Sequence, residues 1–484
     1  MYRLLVFLIA ATLAASSALA QPARRDLYVG VNLIDPIAET IRRDSYILVE
    51  NGRIAAIGQG RPPGAPGATR HDFAGLYALP GLIDTHAHVT LGPLAATREG
   101  ETLRIRATSN DEVTAHNARA LLAFGVTTIR NPASAAADNR AYAERVASGA
   151  LLGPEMIYAA EIIDRSPIEV ENLVTLVTPE RSVAEIVDAQ ASSSGARYVK
   201  LYTSLSEADL AEGIEAAHRH GLRAVAHLVD VSWTRAAEMG VDAIVHMMPI
   251  SPDLLPADRR EAYRAGRRPA AYQFFEWYEA ADLDAPEVRD MIAAMARRRV
   301  HLDATLVVFE AAFRGNDQAF LARDREYDHP AMVANWRSVF RFDLGWQPDD
   351  YRRAQAVWPR VLELTRRMYE AGVPMTIGTD QANPFVAPGI SVSREMALHQ
   401  EAGIPAWAVL RMATSDAARL IGVGARTGRL RPGMEADILF IGADPLPDLN
   451  RVAEVRAVVN NGVLHSPETL LRSSQPQASE RNPQ

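Results

Sequence analysis

The chain has 484 residues, of which 48% are hydrophobic and 23% are charged, an ordinary composition for a globular protein with a sizeable core. A net charge of -8 at pH 7 argues against a nucleic-acid-binding protein, which usually carries a basic surface. The sequence contains no cysteine, which excludes disulfides and thiolate metal ligands.

The first twenty residues have the pattern of a signal peptide. Arg3 precedes the apolar run Leu4–Leu13, and Ala18–Ala20 is a small-x-small cleavage site before Gln21. The apolar run is shorter than the ~20 residues that a membrane-spanning helix needs, which favours cleavage over an uncleaved anchor. We therefore predict a signal peptide at residues 1–20, a periplasmic or secreted location and no stable membrane insertion after cleavage.

Segments near both chain ends have the composition of β-strands. The turn signal Asn51-Gly52 divides the second of them and is typical of a hairpin. We predict that residues 25–76 and 425–470 together form one small β-sandwich domain, and that residues 471–484 are a disordered, polar tail. The four segments are Leu27–Leu33, Ser45–Ile57, Gly433–Ile441 and Val455–Leu464.

Short apolar runs alternate with helical patterns through residues 77–424. Such alternation is typical of parallel βαβ units, and eight units predict a closed (β/α)8 barrel, the TIM barrel. The fold class is therefore α/β, with the small β-domain beside the barrel. The eight runs are Ala78–Thr85, Thr127–Asn131, Met156–Ala160, Tyr198–Leu201, Ala224–His227, Ala243–His246, His301–Leu306 and Met375–Thr379.

Two connections in this region are too long for simple loops. They run from Pro249 to about Pro286 and from Val307 to about Leu362, and the second is rich in aromatic and charged residues. Both follow predicted strands, so they stand at the C-terminal face of the barrel, where barrel active sites lie. We expect them to form lids or substrate walls.

Potential metal ligands stand at the ends of the predicted strands. His86 and His88 end the first strand, and side chains two apart on a strand point the same way. His227 and His246 close the fifth and sixth runs, and Asp380 directly follows the eighth. In a closed barrel these ends converge, and imidazole with carboxylate suits zinc. The set predicts a metal centre, although the His-x-His pair alone would be a weak signal.

Lys200 is the unusual member of this set, at the end of the fourth run. An ammonium cannot bind a cation, but burial and nearby positive charge lower the pKa of a lysine. The neutral amine can then react with carbon dioxide to give a carbamate, which is a bidentate anionic ligand. The residue alone permits this step, and a lysine that pairs with an acid or binds substrate stays open.

Four motifs resemble the signature of the amidohydrolase superfamily. They are Gly81–His88 (GLIDTHAH), Phe124–Arg130 (FGVTTIR), Gly378–Asp380 (GTD) and Arg431–Ile438 (RPGMEADI). The likeness extends from about Leu27 to Leu464, and the most similar branch is that of the imidazolonepropionase-like and prolidase-like hydrolases. The resemblance implies the same barrel with a split β-domain.

The resemblance also implies two divalent ions, taken to be zinc. His86 and His88 would bind one ion, and His227 and His246 the other. Lys200, carboxylated by carbon dioxide, would bridge both ions, and Asp380 would be a ligand of the first ion and a proton shuttle. The implied metal ligands are His86, His88, Lys200, His227, His246 and Asp380.

Two departures from the pattern concern the substrate. Asn131 stands where many relatives carry Asp, and the loop Glu161–Pro167 does not resemble the Gly-His-rich loop of prolidase-like members. The second departure argues against prolidase-type substrate recognition. Tyr202, just beyond Lys200, is a candidate hydrogen-bond donor to substrate, and a packed wall aromatic stays the alternative.

The predicted function is hydrolysis of an amide-type C–N bond in a small molecule by a metal-bridging hydroxide, with Asp380 acting first as base and then as acid. Candidate substrates are dipeptides, N-acyl amino acids and cyclic amides. A mononuclear deaminase, which would not need Lys200, and a catalytically inactive barrel-fold binding protein stay open. A homo-oligomer also stays open.

Overall fold

The computed structural model describes residues 24–99, 102–165 and 170–472. The predicted signal peptide and the chain after residue 472 lie outside the described residues. The described strands are β1 (Arg25–Asp35), β2 (Thr40–Glu50), β3 (Arg53–Gln59), β4 (Thr69–Asp72), β5 (Tyr77–Pro80), β6 (Leu82–Asp84), β7 (Leu94–Glu99), β8 (Thr102–Ala107), β9 (Val126–Asn131), β10 (Glu155–Asp164), β11 (Val170–Glu171), β12 (Val174–Leu176), β13 (Tyr198–Leu201), β14 (Arg223–Ala226), β15 (Ala243–Val245), β16 (His301–Asp303), β17 (Met375–Thr376), β18 (Ile438–Ile441), β19 (Val455–Asn460) and β20 (Val463–His465).

The described α-helices are α1 (Asp111–Ala123), α2 (Ala136–Ala147), α3 (Val183–Ser193), α4 (Glu207–Arg219), α5 (Trp233–Met239), α6 (Ala257–Gly266), α7 (Gln273–Ala280), α8 (Pro286–Arg298), α9 (Leu306–Phe313), α10 (Gln318–Ala322), α11 (Pro330–Trp336), α12 (Pro348–Glu370), α13 (Ile390–Glu401), α14 (Ala406–Met412), α15 (Ser415–Leu420) and α16 (Pro467–Arg472). Short 3-10 turns occupy Pro252–Leu254, Ala270–Tyr272, Arg325–Tyr327 and Leu449–Ala453. In these described ranges, no helix combines the length and the apolar character that crossing a bilayer requires.

Strands from both chain ends form one eight-stranded sheet. Its order is β20-β19-β18-β5-β1-β2-β3, and β4 pairs with β1. The hairpin between β2 and β3 turns at Asn51 and Gly52, whose φ angles of 51° and 78° suit the two central positions of a tight hairpin turn. The small β-domain built from both ends is as predicted, and its limits in residues stay a prediction.

The second large sheet has nine strands: eight parallel strands follow the order β17-β16-β15-β14-β13-β10-β9-β6, and β12 pairs with β10. The ends of the first and last strands then meet. The N–H of Thr85 donates to the Ile377 carbonyl at 2.9 Å, and the N–H of His88 donates to the Gln381 carbonyl at 2.8 Å. These bonds close the sheet into the predicted barrel, with helices following the strands.

The run predicted as a single strand, Ala78–Thr85, is two strands, and that prediction was wrong. Residues Tyr77–Pro80 pair with β1 and β18 in the small sheet, while Leu82–Asp84 pair with β9 in the barrel. Both pieces are buried, so the apolar pattern continues across the boundary. Gly81 lies between them, where a Cβ would come within 2.2 Å of the Thr127 hydroxyl oxygen, so only glycine fits this close approach.

Four other predicted limits also differ from the structure. Only Ile438–Ile441 of the predicted strand Gly433–Ile441 is extended, and Val455–Leu464 is a hairpin that turns at Asn461 and Gly462. The seventh barrel strand ends at Asp303. Residues 471 and 472, predicted in the tail, complete α16. The limits of an element are the part of the structure that residue pattern alone determines least well.

The long connections carry helices. The segment after β15 forms α6 and α7 before the barrel helix α8, and the segment after β16 forms α9, α10 and α11 before α12. A hairpin that the sequence did not suggest, β7–β8, follows the first barrel strand and pairs with β11. Because all of these follow barrel strands, they surround the C-terminal face.

Candidate metal centre

Two histidines and an aspartate meet where the first and eighth barrel strands end. Nε2 of His86 and Nε2 of His88 lie 3.3 and 3.1 Å from Oδ1 of Asp380. One potential ligand atom from each of the three side chains lies within 4.8 Å of the other two. The trio has the donor types and the spacing of a site for a divalent cation.

Asp84 fixes the relative positions of these strand ends. Its Oδ1 accepts hydrogen bonds from the backbone N–H groups of His86 and Thr379, both at 3.0 Å, and its Oδ2 accepts one from the Thr379 hydroxyl at 2.6 Å. Burial outweighs these bonds and raises the pKa of Asp84 to about 7. His86 on one side and Thr379, the residue before Asp380, on the other are therefore tied to one carboxyl group.

The remaining predicted ligands line the same cavity, which has a volume of about 210 Å³. The ring of His246 lies 4.6 Å from that of His227 and 4.9 Å from that of His86, centroid to centroid. Its Nδ1 is 3.6 Å from Oδ2 of Asp380. Lys200, on β13, is buried and also lines this cavity. The structure thus brings together all six side chains, whose individual roles stay predictions.

The donor set fits a cation. Nε2 of His88 faces a carboxylate oxygen, while its Nδ1 lies 2.7 Å from the Ala133 carbonyl and donates to it. In the neutral imidazole Nε2 then carries a lone pair, so that a cation between it and Asp380 removes a repulsion. Nζ of Lys200 and Nδ1 of His227 are buried without a hydrogen-bond partner among the described residues, which costs about 1–3 kcal/mol for each group.

The protonation states also suit metal binding. Burial lowers the pKa of His86 to about 4 and that of His227 to about 3, and it holds the pKa of His246 well below its usual value. Burial likewise lowers the pKa of Lys200 to about 7. For Asp380 burial acts upward, but His86 and His246 outweigh it and hold that pKa well below 3.8. Neutral imidazoles and an ionised carboxylate are the forms that bind cations.

The backbone at this site adopts an uncommon conformation. His246 and Asp380 have φ angles of 68° and 59°, and Thr305, Ala382 and Phe385 in the neighbouring loops have 47°, 95° and 62°. Each such non-glycine residue costs on the order of 1–3 kcal/mol and persists only where surrounding contacts enforce it. The left-handed backbone at His246 and Asp380 sets the direction of these two side chains, and the residue pattern alone does not predict this conformation.

Asn131, the departure from the family pattern, supports the site indirectly. Its side-chain amide donates to Thr90 and Asn139 at 3.2 and 3.0 Å, and its oxygen accepts from the Ala133 N–H at 3.3 Å. The Ala133 carbonyl in turn accepts the hydrogen bond from Nδ1 of His88. Asparagine therefore positions the loop behind this histidine. The other departure, the loop Glu161–Pro167, extends into residues 166–169, which lie outside the described residues.

The cavity walls are apolar, and sequence reasoning identified only one of the wall residues. Tyr202, predicted as a substrate contact, lines the cavity with its ring 4.7 Å from that of His227. Thr305, which lies 2.9 Å from Nδ1 of His246, was missed. Four phenylalanines of the two long connections were missed as well, although the aromatic content of the second connection was a signal. They are Phe274, Phe309, Phe340 and Phe342.

Comparison with known proteins places this architecture among related folds. The amidohydrolase family model matches residues 77–464. An imidazolonepropionase of Cupriavidus taiwanensis is 27% identical over 230 residues, which are 39% of this chain and 53% of that protein, so the matched part spans about half of the relative. A bottromycin amidohydrolase structure is similar with a TM-score of 0.69 at 23% identity, covering 93% of this chain and 91% of that one. A Xaa-Pro dipeptidase with bound methionine gives a TM-score of 0.65 at 19% identity, covering 91% and 100%.

Proposed function

This chain belongs to the amidohydrolase family, and from that premise we propose that it is an exported hydrolase with two divalent ions that cleaves an amide-type C–N bond in a small molecule. The observation that carries the proposal is the convergence of six candidate ligands on one cavity at the C-terminal face of the barrel. The imidazolonepropionase, amidohydrolase and dipeptidase relatives support an amide-type substrate.

Lys200 favours two ions over one. The trio of His86, His88 and Asp380 would be sufficient for a single ion, as a mononuclear deaminase needs. A lysine buried beside these groups, with no hydrogen-bond partner in the described part of the chain, has no use in that arrangement. Its low pKa leaves a large neutral fraction at pH 7, and carboxylation by carbon dioxide would convert it into an anionic bridging ligand. Nitrogen and oxygen ligands of this kind suit Zn²⁺.

The ions, when bound, would polarise the substrate carbonyl and activate a water molecule. Asp380 is ionised and lies at the centre of the ligand set, so its carboxylate would accept the proton of the attacking water and return it to the leaving nitrogen. Tyr202 stays a neutral phenol because burial raises its pKa, and its hydroxyl would donate a hydrogen bond to the carbonyl oxygen as negative charge develops.

A panel of small amides tests the reaction. We expect the mature, zinc-loaded protein to release an amine from at least one class among dipeptides, N-acyl amino acids and cyclic amides. Asp380→Asn should lower kcat by about 10²–10⁴-fold, because it removes the proton acceptor. The matched control is Asp290→Asn, at an exposed position on α8, which should keep the full rate.

Two results would contradict the proposal. Full activity of Asp380→Asn on a cleaved amide would remove this residue from the chemistry. Release of ammonia from an amino-substituted ring, with no amide cleaved, would favour the deaminase. Export is tested separately by sequencing the N-terminus of the protein recovered outside the cytoplasm, which we expect to begin at Gln21.

A further inference from the structure

The inner part of the cavity, next to the metal centre, has aromatic walls, and the described residues that line it beyond the candidate ligands carry no charge. We call it the inner chamber. Among the described residues, and apart from the six candidate ligands, the polar side chains that line it are those of Tyr202 and Asn383. Phe274 packs against Phe309 and Phe342 with ring centroids 5.4 and 5.9 Å apart. Burying a charged group here without a partner would be costly, so the chamber suits an uncharged, aromatic group.

A second cavity, of about 410 Å³, opens beside the first, and we call it the outer chamber. Its apolar lining includes Ala312, Leu321, Trp336 and Phe385, and its polar lining includes Arg337. The inner chamber alone, at about 210 Å³, is below the volume of about 300 Å³ at which ligand sites for drug-sized molecules begin. A substrate larger than one ring with its amide therefore has to extend beyond it.

The two chambers are adjacent. Phe342 lines both of them. The loop after Asp380 also runs from one to the other, since Asn383 lines the inner chamber and Phe385 the outer. The indole N–H of Trp336 donates to the Ala382 carbonyl at 3.1 Å, which fixes the wall of the outer chamber to the loop that carries Asp380. A ligand that extends past Phe342 would therefore reach from one chamber into the other.

The charge in the outer chamber is concentrated on one arginine. Arg341 is paired by Asp343, which accepts from its Nε and Nη2 at 2.9 and 3.0 Å. The side chain of Arg337, an exposed residue that follows the end of α11, makes no hydrogen bond or ion pair with the described part of the chain. Its guanidinium is therefore free to bind an anion, and a carboxylate is its natural bidentate partner.

We propose that the substrate is an elongated amide with an uncharged aromatic group in the inner chamber and a carboxylate that binds Arg337 in the outer chamber. The assignment rests on the proposed function for the position of the scissile bond. Binding of a ligand in the two chambers does not depend on hydrolysis, so it can be tested with ligands that are not cleaved.

Calorimetric titration of the zinc-loaded protein with ligands that contain no amide bond to cleave tests this assignment. The ligands are phenylbutanoate, phenylhexanoate and phenyloctanoate, each compared with its primary carboxamide. For one of the three chain lengths, we expect the carboxylate to bind about tenfold more tightly than its carboxamide, since a charge-assisted pair contributes about 1.4 kcal/mol or more. In Arg337→Gln this preference should fall below about threefold, while the carboxamide binds as before.

Two matched variants control for indirect effects. Arg429→Gln removes an exposed arginine of the C-terminal part of the chain and should leave every affinity unchanged. Phe342→Ala should weaken both members of a ligand pair, whereas Leu344→Ala, at a neighbouring position with 60% exposure, should not. Melting temperatures of the variants identify any that fail to fold. If Arg337→Gln fails to fold, Arg337→Lys replaces it. Lysine keeps the charge but not the bidentate fork, so the preference for the carboxylate over the carboxamide should fall in this variant too.

A carboxylate preference that persists in Arg337→Gln would overturn the inference, because the anion would then bind elsewhere, for instance at the metal centre. The absence of any preference in the unaltered protein would overturn it as well. If the ligands bind as expected and no amide is cleaved, the proposed function fails and the two-chamber site stands. If amides are cleaved and Arg337→Gln has no effect, only the two-chamber site fails.

Discussion

At the scale of single residues, the groups behind the candidate ligands determine how those ligands are oriented. His88 is held by the Ala133 carbonyl and His246 by the Thr305 hydroxyl, at 2.7 and 2.9 Å. Each bond engages one ring nitrogen and leaves the other toward the cavity. Such partners commonly contribute 10–100-fold to metal affinity.

Removing one of these bonds should weaken metal binding. Thr305→Ala deletes the hydroxyl that orients His246, and we expect the zinc affinity to fall by about 10–100-fold. Thr305→Ser keeps the hydroxyl and should restore most of it. Competition with a chromophoric chelator measures both variants. Equal affinities for Thr305→Ala and the unaltered protein would show that the bond does not orient the ring.

At the scale of elements, a buried ion pair joins strands across the barrel. Arg130 on β9 and Asp303 at the end of β16 are both fully buried and paired with each other. The hydroxyls of Thr85 and Thr376, at the ends of β6 and β17, also donate to Asp303. One carboxylate thus connects four strand ends beneath the candidate metal centre.

Breaking this pair from one side should be more harmful than replacing both partners. Asp303→Leu leaves a buried, unpaired guanidinium, and we expect a loss of about 3–5 kcal/mol in the free energy of unfolding. The double variant Arg130→Met/Asp303→Leu should lose less than the sum of the two single variants. Urea denaturation measures all three proteins. Strict additivity would mean that the two side chains are not energetically coupled.

The elements predictable from sequence were those with a local pattern. Eight buried strands alternate with helices, and all eight strands form. The errors occur where two buried elements adjoin, as on either side of Gly81. The candidate ligands were predictable because each lies at or close to the end of a predicted strand. The aromatic walls were not, since Phe274 and Phe342 lie on different connections and meet only through tertiary packing.

At the scale of the whole molecule, buried polar contacts hold together the C-terminal part of the chain that returns to the small β-domain. Asp437 is buried at the start of the returning C-terminal strands. Its carboxyl accepts hydrogen bonds from the Asn461 N–H and the Thr427 hydroxyl, both at 2.9 Å. Burial outweighs these bonds and raises the pKa of Asp437 from 3.8 to about 6.

This shift predicts a pH dependence of stability. A raised carboxyl pKa means that the folded state binds the proton more tightly than the unfolded state, so ionised Asp437 costs stability above about pH 6 and the cost disappears as the pH falls toward about 4. Asp437→Asn removes this titration. We compare the free energy of unfolding of Asp437→Asn with that of the unaltered protein. The difference should change in favour of the variant by about 1–3 kcal/mol between about pH 4.5 and pH 7. A difference that does not change with pH would contradict the assignment.

The most direct test of the two-ion centre is the metal-to-protein ratio of the purified mature protein, measured by elemental analysis beside the variant Lys200→Ala. We predict about two zinc ions per chain, with a clear loss in the variant because the bridging ligand is missing. About one ion in both proteins would contradict the bridged centre and favour a mononuclear deaminase. No bound metal under metal-replete conditions would favour an inactive binding protein with a barrel fold.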